Sequence, residues 1–90
     1  MNLLELNDEK VIIGSTVAVR DLDTAEVDVY TLVPPGQADI TANRISSTTP
    51  VAHAVYGHRK GDEVEVIAPG GAIRLLILSI RPPSAEDEYG

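Results

Sequence analysis

Turn-forming residues divide this 90-residue chain into short segments, and this division constrains the fold more than any other feature. The main breaks are Pro-Pro-Gly at 34–36, Gly57, and Pro-Gly-Gly at 69–71. Proline cannot donate a hydrogen bond to a neighbouring strand, and glycine adopts positive φ without steric cost. The chain is therefore restricted to a path of strand, loop, short helix and hairpin.

The segments before the first break alternate as β-strands do. Residues 11–20 are rich in β-branched side chains, and residues 26–33 carry valine or threonine at every second position. Gly14 predicts a bulge or a sharp bend near the start of the first strand. Asp21 and Asp23 are typical of a turn, because an aspartate side chain can bond a backbone group two residues on. Together these segments predict a hairpin.

A long polar loop and one helix start follow in the middle of the chain. The loop covers residues 37–49. Thr49 is a suitable helix cap, and Pro50 suits the first helical position, where its missing N–H sacrifices no bond. The helix has only two turns, and Gly57 is expected to end it in the left-handed conformation.

A second hairpin completes the pattern. Residues 63–68 place valine inward and glutamate outward, and the Pro-Gly-Gly at 69–71 predicts a tight turn. Residues 72–80 form the most apolar segment and are expected near the centre of the sheet. The sequence thus predicts an α+β domain with four main antiparallel strands and one short helix.

Length and composition fit one small domain at 11–81, with a lead-in segment at 1–10 and an acidic, disordered tail at 82–90. A chain of this size buries only roughly 60–65% of its unfolded surface. The chain has no cysteine, and no apolar run approaches the ~18–20 residues that span a bilayer. With no basic signal-peptide start, we expect a cytoplasmic protein that does not bind membranes.

The charge pattern argues against direct nucleic-acid binding and points to a protein partner. The net charge is −7, whereas a nucleic-acid backbone needs lysine and arginine to replace its counterions. Residues 40–61 contain no aspartate or glutamate, and Arg44, Arg59 and Lys60 give that window a charge of +3. We therefore expect this window to present one neutral-to-basic surface on an acidic body.

No catalytic, cofactor or metal site is expected. His53 and His58 lie five residues apart, about 140° around a helix, and cannot share a metal ion. A serine from the run at 46–49 could be combined with His53 and Asp39, but no nucleophile elbow accompanies them. Hydroxyls before a helix more often form caps and turns.

Leu76 interrupts the alternation of the last strand. If Ile73, Leu75 and Ile77 face the core, Leu76 faces the other side of the sheet, where a charged residue would be expected. Either that sheet face is covered, or Leu76 belongs to a small apolar patch for a partner or for self-association.

The order of these motifs resembles the globular C-terminal domain of the Gre transcript cleavage factors of bacterial RNA polymerase. The resemblance covers residues 11–80, through VIIGSTVAVRDLDT, TLVPPGQADI, RISSTTPVAHAVYG and KGDEVEVIAPGGAI. It extends to the related regulator of nucleoside diphosphate kinase, to which the Pro-Pro-Gly at 34–36 is slightly closer. It implies an FKBP-like fold, a twisted antiparallel sheet of four to five strands wrapped against one short helix.

The resemblance also implies a partner and a contact loop. In that family this domain docks on RNA polymerase at the rim of the secondary channel, and the implied function is regulation of transcription elongation. The matching contact residues in this sequence are Asp39, Ile45, Ser46, Thr49 and Pro50.

The sequence departs from the family before the first strand. Gre factors stimulate cleavage through acidic residues at the tip of a long N-terminal helical hairpin that holds Mg²⁺. Ten residues precede the first predicted strand here, so we expect no cleavage activity from this chain itself. The FKBP-like resemblance leaves a prolyl isomerase or small-ligand module as the alternative. The absence of Phe and Trp opposes it, because such pockets are lined by aromatic rings.

Overall fold

A computed structural model describes residues 9–83, which form five strands and one short α-helix. In chain order the elements are β1 (Thr16–Asp21), β2 (Val27–Val33), a 3-10 turn (Ile40–Ala42), β3 (Arg44–Ser46), α1 (Pro50–Val55), β4 (Glu63–Ala68) and β5 (Gly71–Arg81). The strands form one sheet in the order β3-β2-β1-β5-β4. Most of the predicted acidic tail (residues 84–90) and most of the predicted lead-in (residues 1–8) lie outside the described residues.

The predicted α+β class and both hairpins are confirmed, with one addition. The pairs β1–β2, β1–β5 and β4–β5 are antiparallel, as the alternation indicated. β3 pairs with β2 in parallel, so the sheet is mixed. Parallel strands need a long connection between them. The predicted loop at residues 37–49 provides most of this connection and also contains β3. β5 lies inside the sheet as expected, although β1 is the central strand.

The first strand starts later than the sequence pattern suggested. Gly14 has φ +96°, and Ser15 turns the chain by accepting the Ile12 N–H on its side-chain oxygen at 2.9 Å. This turn takes residues 11–15 out of the sheet. The sharp bend that the sequence allowed at Gly14 is thus present, and a separate irregularity shifts the pairing of β5 with β1 between Ala18 and Val19.

The core lies between one face of the sheet and α1. Its buried side chains come from the loop before β1 and from all the longer elements: Val11, Val17, Val19, Leu32, Ala52, Val55, Val64, Val66, Leu75 and Ile77. The register places Tyr30 beside Val17 and Asp28 beside Val19 on this face. Consequently Val27 and Val29 point outward and are 53% and 44% exposed.

The outer sheet face carries the predicted Leu76 anomaly. Leu75 and Ile77 are buried, and Leu76 is half-buried on the other side, between Arg20 of β1 and Glu63 of β4. Self-association through this face stays a prediction.

Candidate functional site

Asp39 begins the predicted contact loop as the cap of the 3-10 turn. Its Oδ1 accepts the Thr41 hydroxyl at 2.6 Å and the Thr41 N–H at 3.1 Å. These two bonds lower the pKa of Asp39 below its ordinary value, the hydroxyl contributing most, and the charge of Arg44 adds to the effect. The backbones of Asp39 and Arg44 exchange two hydrogen bonds of 2.9 Å. The carboxylate is therefore ionised, exposed and held in a defined direction.

Ile45 and Ser46 lie on β3, where pairing with β2 fixes the contact loop to the sheet. The Ile45 side chain is half-buried and packs against the core. The Ser46 hydroxyl accepts the Thr48 N–H at 3.1 Å and shares a 2.7 Å hydrogen bond with the Thr48 hydroxyl. Both side chains hold the loop in place, and both are only partly exposed.

Thr49 and Pro50 start α1 in the way the sequence predicted. The Thr49 hydroxyl accepts the Ala52 N–H at 3.3 Å and donates to the Ser46 carbonyl at 2.9 Å. Pro50 occupies the first helical position and is exposed. The run of hydroxyls thus serves caps and turns, as expected for residues before a helix. Of the five predicted contact residues, Asp39 and Pro50 are the exposed ones.

Ile40 is an exposed apolar residue that sequence reasoning did not select. It follows Asp39 directly, in the 3-10 turn, and is 83% exposed. An isolated isoleucine in a polar loop reads as a core residue, and only the turn geometry shows that it points outward. The asparagine after the turn, Asn43, is left-handed with φ +57°, and returns the chain to β3.

Both arginines of the acid-free window, residues 40–61, lie beside carboxylates that flank the window. Arg44 lies beside Asp39, and Arg59 lies beside Asp62. The backbone N–H of Arg59 lowers the pKa of Asp62 most, and His58 and the charge of Arg59 lower it further. His58 Nδ1 lies 3.2 Å from Asp62 Oδ2. Each arginine of the window thus has a carboxylate neighbour from outside it. Summing the charges of residues 40–61 could not show these neighbours, because the sum leaves out the flanking residues Asp39 and Asp62.

A small pocket lies beside Val51 of α1 on the core face of the sheet, with a volume of about 110 Å³. Its lining comes from α1 and four strands: Val19, Asp21, Asp28, Tyr30, Val51, Val66, Ile73 and Leu75. Burial raises the pKa of Tyr30, and the Asp28 carboxylate raises it further. One aromatic ring lines the pocket, whereas a prolyl isomerase site is lined by several. The alternation of the sequence could not reveal this pocket, because the pocket depends on which face of β2 packs inward.

Residues 9–83 contain two histidines, His53 and His58. No group of three or more histidines, aspartates or glutamates in that part of the chain could hold a metal ion. His58 pairs with Asp62, and His53 lies on the exposed side of α1. None of the helices described there is both long and apolar enough to cross a membrane.

A family model for the C-terminal domain of the transcription elongation factors GreA and GreB matches residues 6–82. A GreA of Nitratidesulfovibrio vulgaris strain Miyazaki F is 44% identical over 80 residues, covering 89% of this chain and 50% of that relative. A GreA of Vibrio parahaemolyticus is 48% identical over 66 residues, covering 73% of this chain and 42% of that relative. The chain spans about half the length of the curated relatives it matches.

Solved structures of similar proteins agree with this assignment. The Thermus aquaticus Gfh1 structure superposes with a TM-score of 0.74 at 29% identity, covering 82% of this chain and 49% of that one. A GreA/GreB factor from Nitrosomonas europaea superposes with a TM-score of 0.67 at 34% identity, covering 89% and 67%. Sequence and fold therefore point to the same family.

Proposed function

The chain belongs to the GreA/GreB C-terminal domain family of transcription elongation factors, and on that premise we propose that it docks on bacterial RNA polymerase at the rim of the secondary channel. Within the 90 residues, docking is assigned to the loop that runs from Asp39 to Pro50. The partner is a protein surface, because the net charge of −7 disfavours direct contact with nucleic acid.

The observation that carries this proposal is that Asp39 and Pro50 are both exposed on one continuous loop. Local hydrogen bonds hold each of them in place. The 3-10 turn fixes Asp39, and the Thr49 cap fixes Pro50. Between them β3 joins the loop to the sheet, so both groups are presented without ordering a flexible segment on binding. Preorganisation of this kind reduces the entropic cost of association.

The proposed role is binding without stimulation of transcript cleavage by these residues alone. The family resemblance attributes cleavage to acidic residues carried on a long helical hairpin. The α-helix described here, α1, has six residues and is about 9 Å long. We propose that these residues act by occupying the polymerase surface or by competing for it.

A binding experiment with core RNA polymerase tests the proposal. A fluorescently labelled chain should co-migrate with core polymerase on gel filtration, and Pro50→Ala should weaken this binding. The matched control is Pro35→Ala, which changes an exposed proline in a loop outside the contact residues. Equal binding of the two variants would contradict the assigned loop, and no binding of the wild type would contradict the docking itself.

A further inference from the structure

We propose that the pocket beside Val51 binds one arginine side chain of the protein on which the contact loop docks. The identity of that protein rests on the proposed function, whereas the chemistry of the pocket follows from its own lining. The pocket touches Val51, the residue that follows Pro50 in α1. A partner seated on Pro50 is thus within reach of it.

The volume of the pocket limits the occupant to one side chain. Sites for cofactors and other small molecules measure about 300–1,000 Å³. At about 110 Å³, this pocket is several times too small for such a ligand. It suits a single extended side chain projecting from a larger partner.

The floor of the pocket is apolar and suits an aliphatic stem. It is formed by Val19, Val51, Val66, Ile73 and Leu75. Ile73 is 38% exposed although it belongs to the core face, so part of its apolar surface is open to an occupant. Arginine buries its methylene groups on such a surface while keeping its charged head at the rim.

The charged groups of the pocket are carboxylates, and its lining within residues 9–83 includes no lysine, arginine or histidine. Asp21 and Asp28 both line it. The nearest arginines in sequence, Arg20 and Arg74, alternate onto the outer sheet face, where Arg74 Nη1 lies 4.0 Å from Glu63 Oε1. The pocket therefore presents a negative rim to any partner that enters it.

Hydrogen-bond acceptors at this rim are available. Asp28 and Tyr30 make no side-chain hydrogen bond within residues 9–83. Asp21 uses Oδ1 for the N–H groups of Asp23 and Thr24, which leaves Oδ2 for a ligand. A guanidinium offers five N–H donors in a planar fork and also stacks on aromatic rings such as Tyr30. An arginine satisfies this set better than a neutral or acidic side chain.

The pocket can be tested without the partner by an NMR titration with n-butylguanidinium, using n-butylurea as the neutral analogue. The cation should shift the signals of Tyr30, Val51 and Ile73, and the urea should shift them less. Asp28→Asn should raise the dissociation constant for the cation about two- to fivefold. The matched control is Glu65→Gln, which removes one negative charge from the outer sheet face.

Absence of shifts at these three residues, or equal affinities of the two variants, would overturn the proposal. The same variants with core polymerase then separate the two claims. Weaker binding of Asp28→Asn than of Glu65→Gln supports both. If Pro50→Ala loses binding while Asp28→Asn matches Glu65→Gln, docking stands and the arginine proposal falls. If the wild type does not bind polymerase, the proposed function falls and the titration alone decides the ligand of the pocket.

Discussion

The Thr49 hydroxyl lies 2.9 Å from the carbonyl oxygen of Ser46, and this bond joins the end of β3 to the start of α1. The same hydroxyl accepts the Ala52 N–H, so one side chain fixes the direction in which the loop enters the helix. The exposed position of Pro50 depends on this connection.

Removal of the Thr49 hydroxyl should destabilise the domain. Thr49→Val keeps the shape of the side chain but loses both bonds, and helix caps contribute about 0.5–2 kcal/mol. We expect Thr49→Val to lower the free energy of unfolding in urea by about 1–2 kcal/mol. Thr49→Ser keeps the hydroxyl and is the control. Equal stabilities of the two variants would show that the cap is not used in solution.

Gly14 should tolerate alanine less well than Gly36 does. Both have positive φ, +96° and +94°, so alanine strains the backbone at each by roughly 1–2 kcal/mol. A Cβ at Gly14 would also lie 2.9 Å from Cβ and Cγ of Pro83, whereas Gly36 has nothing within 4 Å. We expect Gly14→Ala to lower the thermal midpoint further than Gly36→Ala. In a Pro83→Gly background the two alanine substitutions should cost the same; a persistent difference would place the clash elsewhere.

Thr41→Val should raise the pKa of Asp39, because the Thr41 hydroxyl is the largest contributor to its lowered value. Because the pKa of Asp39 is lower in the folded state, its ionised carboxylate stabilises the fold at pH values above the unfolded pKa of 3.8. This stabilisation is lost as the pH falls through the folded-state pKa. The Asp39 carboxyl carbon, followed by NMR from neutral to acid pH, reports the change. Thr48→Val, a control in the same loop, should leave the Asp39 titration unchanged. A Thr41→Val titration identical to that of wild type would contradict the observed bond.

Adjacent residues of β5 should respond very differently to truncation. Ile77 is 1% exposed, and Ile77→Ala should cost about 2–5 kcal/mol because it leaves a cavity in the core. Leu76 is half-buried on the outer face, and Leu76→Ala should cost less than Ile77→Ala. Chemical unfolding of both variants checks the register of β5, and similar losses would contradict it. If Leu76 mediates self-association, light scattering of Leu76→Ala should show a smaller species than wild type.

The sequence predicted elements well where local chemistry decides them. β4 matches the predicted residues 63–68, and Thr49 with Pro50 begins α1 as expected. Alternation does not say which face of a strand is buried. On β2 the valines suggest a buried face, yet pairing with β1 turns Tyr30 and Leu32 inward.

Long-range pairing accounts for what the sequence did not predict. The parallel pairing of β3 with β2 depends on contacts between segments about ten residues apart, which no local pattern encodes. The pocket requires α1 and four strands to converge, and the carboxylate neighbours of Arg44 and Arg59 come from outside the acid-free window. The predicted contact residues were found through family resemblance, and the fold then separated the exposed ones from those that anchor the loop.

Competition with a full-length Gre factor tests docking most directly. The labelled chain is bound to core RNA polymerase, and unlabelled GreA is titrated in while fluorescence anisotropy is recorded. We expect GreA to displace the chain completely, and Asp39→Asn and Pro50→Ala each to weaken its binding about fivefold or more. Asparagine can keep the cap at position 39 without the charge, so a loss there reports contact and not unfolding. Binding that GreA does not displace, or that both variants retain at full strength, would contradict docking through this loop.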